Sequence, residues 1–144
     1  MVIGLKGFGK FGCNINWVPL DKDLRYDLNE ISNRVSKNTS MVFICNPNNP
    51  TGTMVGSTEL EDFCVSTSKK TCVFVDEAYY DYSILDGYPT MTKLVKKGHN
   101  IIVSRTFSKI YGLAGVRIGY IISSPDRIAN IKKCTMAGTN MLAT

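Results

Sequence analysis

Two short runs, Met41–Cys45 (MVFIC) and Cys72–Val75 (CVFV), are apolar throughout, and a third, Ile101–Thr106 (IIVSRT), opens on three branched apolar residues, with no regular polar alternation in any of them. A strand with one wet face alternates apolar and polar side chains, whereas an unbroken apolar run belongs to a strand covered on both faces. Segments of helical spacing separate them. Leu28, Ile31 and Val35 mark a helix over Leu28–Val35. Leu60, Phe63 and Cys64 share a face over Ser57–Thr67, where Ser57 or Thr58 is the expected cap and Glu59 and Glu61 suit the first turn. Thr90–Lys97 reads as a short helix stopped by Gly98, and Pro125–Lys133 as a helix with proline near its start. Cys13–Pro19 and Val116–Ile122 read as further strands. The link between Ile101–Thr106 and Val116–Ile122 is too short for a parallel crossover, which takes about a dozen residues. The last strand is therefore expected to run antiparallel. The fold class that follows is α/β: a three-layer α/β/α sandwich whose sheet is mostly parallel with one antiparallel strand, continuous over residues 1–144.

At 144 residues the chain can bury one core. The net charge of +5 is scattered, and its densest cluster is only Lys93, Lys96 and Lys97. A nucleic-acid surface shows a basic stripe interleaved with aromatic residues, and none is present. Five cysteines, widely spaced and without a CxxC or Cys/His pair, suggest neither a disulfide framework nor a metal site; three of them sit in or beside apolar runs and read as small core residues of a reducing compartment. His99, the one histidine, stands in a polar turn and reads as a loop residue. No apolar run is long enough to cross a membrane, and no signal-peptide pattern is visible, so a cytoplasmic protein is expected. Gly7, Gly9 and Gly12 spell GxGxxG. A dinucleotide site needs a helix to open directly after these glycines, because its N-terminus receives the pyrophosphate. The chain runs instead into CNINWVP, which is not helical, so a helix end with a glycine-rich exit is the expectation there.

In an open α/β sheet, ligands sit beyond the carboxyl ends of the strands. Three polar clusters fall at such ends: NPNNPTG with Asn46, Asn48 and Asn49; DEAYYDY with Asp76, Tyr79, Tyr80 and Tyr82; and RTFSK with Thr106, Ser108 and Lys109. Each alone has an ordinary explanation as a turn, a helix cap or a surface lysine. Adjacent parallel strands would bring all three to one rim.

NPNNPTG, VDEAYYDY and SRTFSKIYGLAGVRIGY, in this order and spacing, resemble the fold type I pyridoxal-phosphate enzymes, and within them the class I/II aminotransferases of the histidinol-phosphate aminotransferase type. The resemblance runs from about WVPLD onward. It implies a pyridoxal 5'-phosphate coenzyme, small amino-acid and 2-oxo-acid substrates, no nucleic acid or membrane partner, and a homodimeric parent. By the same resemblance, Lys109 forms the imine with the coenzyme and moves the proton at the substrate α carbon. Asp76 pairs with the ring nitrogen, Asn49 and Tyr79 with the ring hydroxyl, and Thr106, Ser108 and Arg117 with the phosphate, to which arginine brings a planar fork of donors. Gly112 and Gly115 are expected where the backbone passes too closely for a side chain.

The family's enzymes are more than twice this length. The chain therefore reads as the central part of a coenzyme-binding large domain, without the N-terminal segment and the C-terminal small domain. Alone it is expected to be poorly soluble or partly molten and inactive. Other readings are a decarboxylase of the threonine-phosphate type, which shares these motifs, and a non-catalytic fragment that kept the fold.

Overall fold

The computed structural model describes residues 12–83 and 88–134. Four strands form one sheet in the order β1 (Met41–Cys45), β2 (Cys72–Asp76), β3 (Ile101–Thr106) and β4 (Gly119–Ile122). β1, β2 and β3 are parallel and β4 is antiparallel to β3, as expected. The helices are α1 (Leu28–Arg34), α2 (Ser57–Thr67), α3 (Thr92–Lys96) and α4 (Pro125–Lys132).

Strand register decides which residues meet the helices. Val42 lies opposite Val73 and Val73 opposite Ile101; Ile44 lies opposite Val75 and Val75 opposite Val103. This face packs against Leu28 and Ile31 of α1, Leu60, Phe63 and Cys64 of α2 and Leu94 of α3 in one buried cluster. The alternate residues form the other face, where the Phe43 and Phe74 rings stack with centroids 5.4 Å apart. Asp27 caps α1 by accepting from the Glu30 N–H at 2.8 Å. The left-handed Gly98 (φ +83°) follows α3 and ends it.

Four expectations need correction. Cys13–Pro19 is not a strand: it is mostly exposed, pairs with no strand among the described residues, and is tied down by Arg34, which donates to Asn16 Oδ1 and to the Trp17 carbonyl. The last strand begins at Gly119, not Val116, because Ala114–Val116 is a 3₁₀ turn and Arg117 adopts left-handed φ (+60°), which interrupts any extended run. The cap of α2 is Gly56, without a side-chain bond, since Ser57 is already the first helical residue. Among the glycines, a Cβ at Gly112 or Gly115 would meet nothing within 4 Å. Gly112 is needed for its positive φ (+69°), and the close approach is at Gly119, where a Cβ would stand 2.8 Å from the Arg105 carbonyl oxygen.

Gly7 and Gly9 of the GxGxxG stretch lie outside the described residues. After Gly12 no helix opens before Leu28, so a pyrophosphate would find no helix N-terminus there. No helix among the described residues is long and apolar enough to cross a membrane. Cys45, Cys64 and Cys72 are buried, as expected, while Cys13 and Cys134 are exposed. His99 is half-buried, with Nδ1 3.3 Å from Ser68 Oγ.

Candidate active site

The carboxyl ends of β1, β2 and β3 form one rim. Cys45 lies opposite Asp76, and Asp76 opposite Ser104. The backbone carries the ladder one step further, with Asn46 N–H donating to the Asp76 carbonyl at 3.0 Å and Glu77 N–H to the Ser104 carbonyl at 2.9 Å. Each polar cluster named above thus begins where its strand runs out.

The three asparagines of NPNNPTG divide their work. Asn46 is 2% exposed: its Oδ1 accepts from Val55 N–H at 2.9 Å and its Nδ2 donates to Tyr88 Oη at 2.6 Å, while that hydroxyl donates to the Val55 carbonyl. Asn48, also buried, accepts from Tyr26 Oη at 3.0 Å and donates to Thr51 Oγ1 at 2.7 Å. Both hold the loop closed. Asn49 is exposed, and its Nδ2 donates to Tyr79 Oη at 2.7 Å. Replacing Asn46 with alanine leaves the buried Val55 N–H without a partner and removes the amide donor to the Tyr88 hydroxyl, and is expected to cost about 2 kcal/mol in a denaturant titration. Asn49→Ala is expected to leave stability within about 0.5 kcal/mol and to weaken whatever the rim binds.

Tyr79 joins the second cluster to the third. The Lys109 Nζ stands over its ring, 5.0 Å from the centroid. Asp76 Oδ1 accepts from Ser104 Oγ at 2.9 Å and from Ala78 N–H at 3.1 Å. A groove of about 330 Å³ opens between the NPNNPTG loop and Tyr79, Tyr82 and Ser83.

Thr106 closes the β3–β4 ladder, and Arg117 lies two residues before the start of β4. Thr106 lies opposite Gly119, and both the Phe107 N–H and Thr106 Oγ1 donate to the Ile118 carbonyl. The Ser108 N–H donates to Thr106 Oγ1 at 3.0 Å. Arg117 follows with left-handed backbone, its Nη1 donating to the Ala114 carbonyl at 2.9 Å and the side chain otherwise exposed. A non-glycine residue in this conformation costs of order 1 kcal/mol and is commonest where function requires it.

Below the rim, on the helical side, Glu77 is 3% exposed. It accepts from Arg105 Nε (3.1 Å) and Nη2 (2.8 Å), from Thr90 Oγ1 and from the Met91 N–H. Burial alone would lower the Arg105 pKa, but the Glu77 hydrogen bonds and charge outweigh it and the net shift is upward. Arg105 also stacks on Tyr80, 4.1 Å from the ring centroid.

Burial pushes the Cys45 thiol up to about 11, the Asp76 charge adding to the rise, and the Asn49 backbone bond and the Lys109 charge opposing it. Burial likewise carries Cys64 to about 12. Each group keeps its proton when folded and loses it near pH 9 when unfolded, so the stability it contributes is complete below pH 9 and is lost as pH rises toward 11. Each thiol is expected to remove about 1.4 kcal/mol per pH unit across that window. Urea midpoints at pH 8 and pH 10.5 test this, and Cys64→Ala should flatten the fall.

All the sequence-named candidates, Asn49, Asp76, Tyr79, Thr106, Ser108, Lys109 and Arg117, lie on this rim or on the turn leading from it. Sequence reasoning missed Tyr26 and Tyr88, which brace the loop from distant segments and carry no local signal. It also missed Ser104, whose place beside Asp76 is visible only once the strand register is known.

The rim thus carries one lysine, a carboxylate and an amide–phenol pair, with an arginine on the glycine-rich turn that follows. The chain belongs to the family described as aminotransferase class I and II, which matches residues 6–140. It is 47% identical over 120 residues to histidinol-phosphate aminotransferase 2 of Bacillus cereus, covering 83% of this chain and 32% of that protein. Among solved structures, the histidinol-phosphate aminotransferase of Sinorhizobium meliloti, in complex with pyridoxal-5'-phosphate, superimposes with a TM-score of 0.72 at 33% identity, over 85% of this chain and 33% of that one. The Clostridium acetobutylicum histidinol-phosphate aminotransferase shares the fold, with a TM-score of 0.83 at 22% identity, over 94% of this chain and 40% of that one. The chain spans about a third of the length of the curated relatives it matches.

Proposed function

We propose that this chain is the central part of the coenzyme-binding domain of a longer pyridoxal-phosphate-dependent aminotransferase of the histidinol-phosphate type, moving an amino group from an amino acid or amine to a 2-oxo acid. One observation carries the reading: Lys109 stands beside the Tyr79–Asn49 pair on the rim where Asp76 ends the neighbouring strand. The donor set fits the coenzyme. Asp76 Oδ2 accepts no hydrogen bond among the described residues and is open to a ring N–H. Asn49 and Tyr79 present an amide and a phenol to a ring hydroxyl. Ser108 offers a hydroxyl and Arg117 a guanidinium to a phosphate, and Thr106 would join them by turning its hydroxyl from the Ile118 carbonyl.

When bound, the coenzyme supplies an electron sink for charge left on the substrate α carbon. The chain's residues do the rest. Asp76 holds a proton on the ring nitrogen. Lys109 carries the coenzyme and moves a proton at the substrate α carbon. Asn49 and Tyr79 orient the ring by its hydroxyl, and Arg117 with Thr106 and Ser108 anchors the phosphate end. The reading extends to a cytoplasmic, homodimeric enzyme of amino-acid biosynthesis, as the motif resemblance implies.

Product analysis on the full-length protein tests the reaction. With histidinol phosphate and 2-oxoglutarate, glutamate should form without release of carbon dioxide. Carbon dioxide from phosphothreonine without glutamate formation would replace transamination by decarboxylation.

A further inference from the structure

We infer that Ser104 is a positioning residue for Asp76, setting the plane of its carboxylate so that one oxygen is kept for the coenzyme ring nitrogen. The inference rests on the coenzyme reading above and adds a residue to it. Ser104 and Asp76 are directly opposed in the parallel β2–β3 ladder, on the face that does not meet the main helical core. Ser104 Oγ donates to Asp76 Oδ1 at 2.9 Å, and the Ala78 N–H donates to the same oxygen at 3.1 Å. Two donors from different directions settle both the rotamer and the tilt of the carboxylate. They also load one oxygen and leave Oδ2 without a partner among the described residues.

The setting makes this bond more than a convenience for a half-buried hydroxyl. Ser66, Ser68, Ser83 and Ser123 all donate to backbone carbonyls. Ser104 is the serine, among the described residues, that donates to a carboxylate. Its same-face neighbours include the buried Ile102, the half-buried Phe74 next to Asp76 along β2, and Ile121 across the ladder on β4, with Thr106 on the side toward the rim. Apolar surroundings strengthen a hydrogen bond to a charged group, and its loss there costs more than in water. Ala78, by contrast, donates through its backbone and cannot be removed by changing a side chain, so Ser104 is the adjustable half of the pair.

The test uses the full-length protein that carries this chain, with Ser104→Ala, Ser104→Thr, Asp76→Asn and the Asp76→Asn/Ser104→Ala double variant. Pyridoxal phosphate affinity and the pH midpoint of the bound coenzyme's visible absorption are measured for each. Ser104→Ala is expected to weaken coenzyme binding about tenfold, the weight of one hydrogen bond to a charged group. Poorer alignment of Asp76 keeps less proton on the ring, so the midpoint should move up by about half a pH unit. Ser104→Thr keeps the hydroxyl and should stay within about threefold of the parent, and in the Asp76→Asn background Ser104→Ala should add less than about twofold. A serine that merely supported the strand would leave the midpoint in place, and its loss would cost as much in the Asp76→Asn background as in the parent; either result overturns the proposal. A parent protein that fails to bind the coenzyme sinks the coenzyme reading and this inference together. A parent that binds it, with an unchanged Ser104→Ala variant, sinks only the role of the serine.

Discussion

Lys109→Ala should lower amino transfer by the full-length protein roughly a thousandfold, within the range that a positioned proton-transferring group supplies. It should also abolish borohydride trapping of the coenzyme on the peptide that holds residue 109. The expectation rests on placement. Lys109 follows the end of β3 by three residues, and its amine lies against Tyr79, the residue that also receives Asn49. Lys93 and Lys97, in the densest basic cluster of the sequence, instead pair with Glu61 on the helical layer. Lys109→Arg is expected to be as inactive as alanine, because a guanidinium does not release its proton in this pH range and cannot take Lys109's part. Trapping spread over several lysines, and unchanged in the alanine variant, would remove Lys109 from the reaction.

Arg105→Met should destabilise the fold by about 3–5 kcal/mol, the usual cost of leaving one partner of a buried ion pair uncompensated. Glu77 is almost wholly buried and the Arg105 side chain is only 17% exposed, so water cannot replace the guanidinium. The residual bonds from Thr90 Oγ1 and the Met91 N–H would not neutralise the charge. Against a total stability of about 5–15 kcal/mol for a domain, the loss is large. Denaturant unfolding measures it, and the paired Glu77→Met/Arg105→Met variant should recover much of it, since no buried charge is then left alone. A loss below about 1 kcal/mol would mean that the pair is hydrated. The pair also matters to the rim. Glu77 follows Asp76 and Arg105 follows Ser104, so the ion pair on the helical side clamps the two strand ends whose other face carries the site.

Much of this was readable in the linear chain. MVFIC, CVFV and IIVS are too apolar for strands with a wet face, and their spacing by helical segments allows little other than a mostly parallel sheet. The shortness of the link after Thr106 was enough to turn the last strand antiparallel. Misreadings occurred where local composition mimics an element that lacks a tertiary partner. Cys13–Pro19 has strand-forming residues and pairs with no strand among the described residues, while Val116–Ile122 looks continuous but is broken by the left-handed Arg117.

The site divides in the same way. The sequence by itself determined the chemical groups, one lysine, one aspartate, an asparagine-rich turn and an arginine after glycines, and their position at strand ends, because strand ends follow from where apolar runs stop. Only the tertiary structure decided which of three asparagines faces outward, since Asn46 and Asn48 are consumed by Tyr88, Val55, Tyr26 and Thr51 from elsewhere in the chain. Strand register decided that Ser104 touches Asp76 while Arg105 turns to Glu77 on the opposite face, because a one-residue step along a strand reverses the side to which a side chain points.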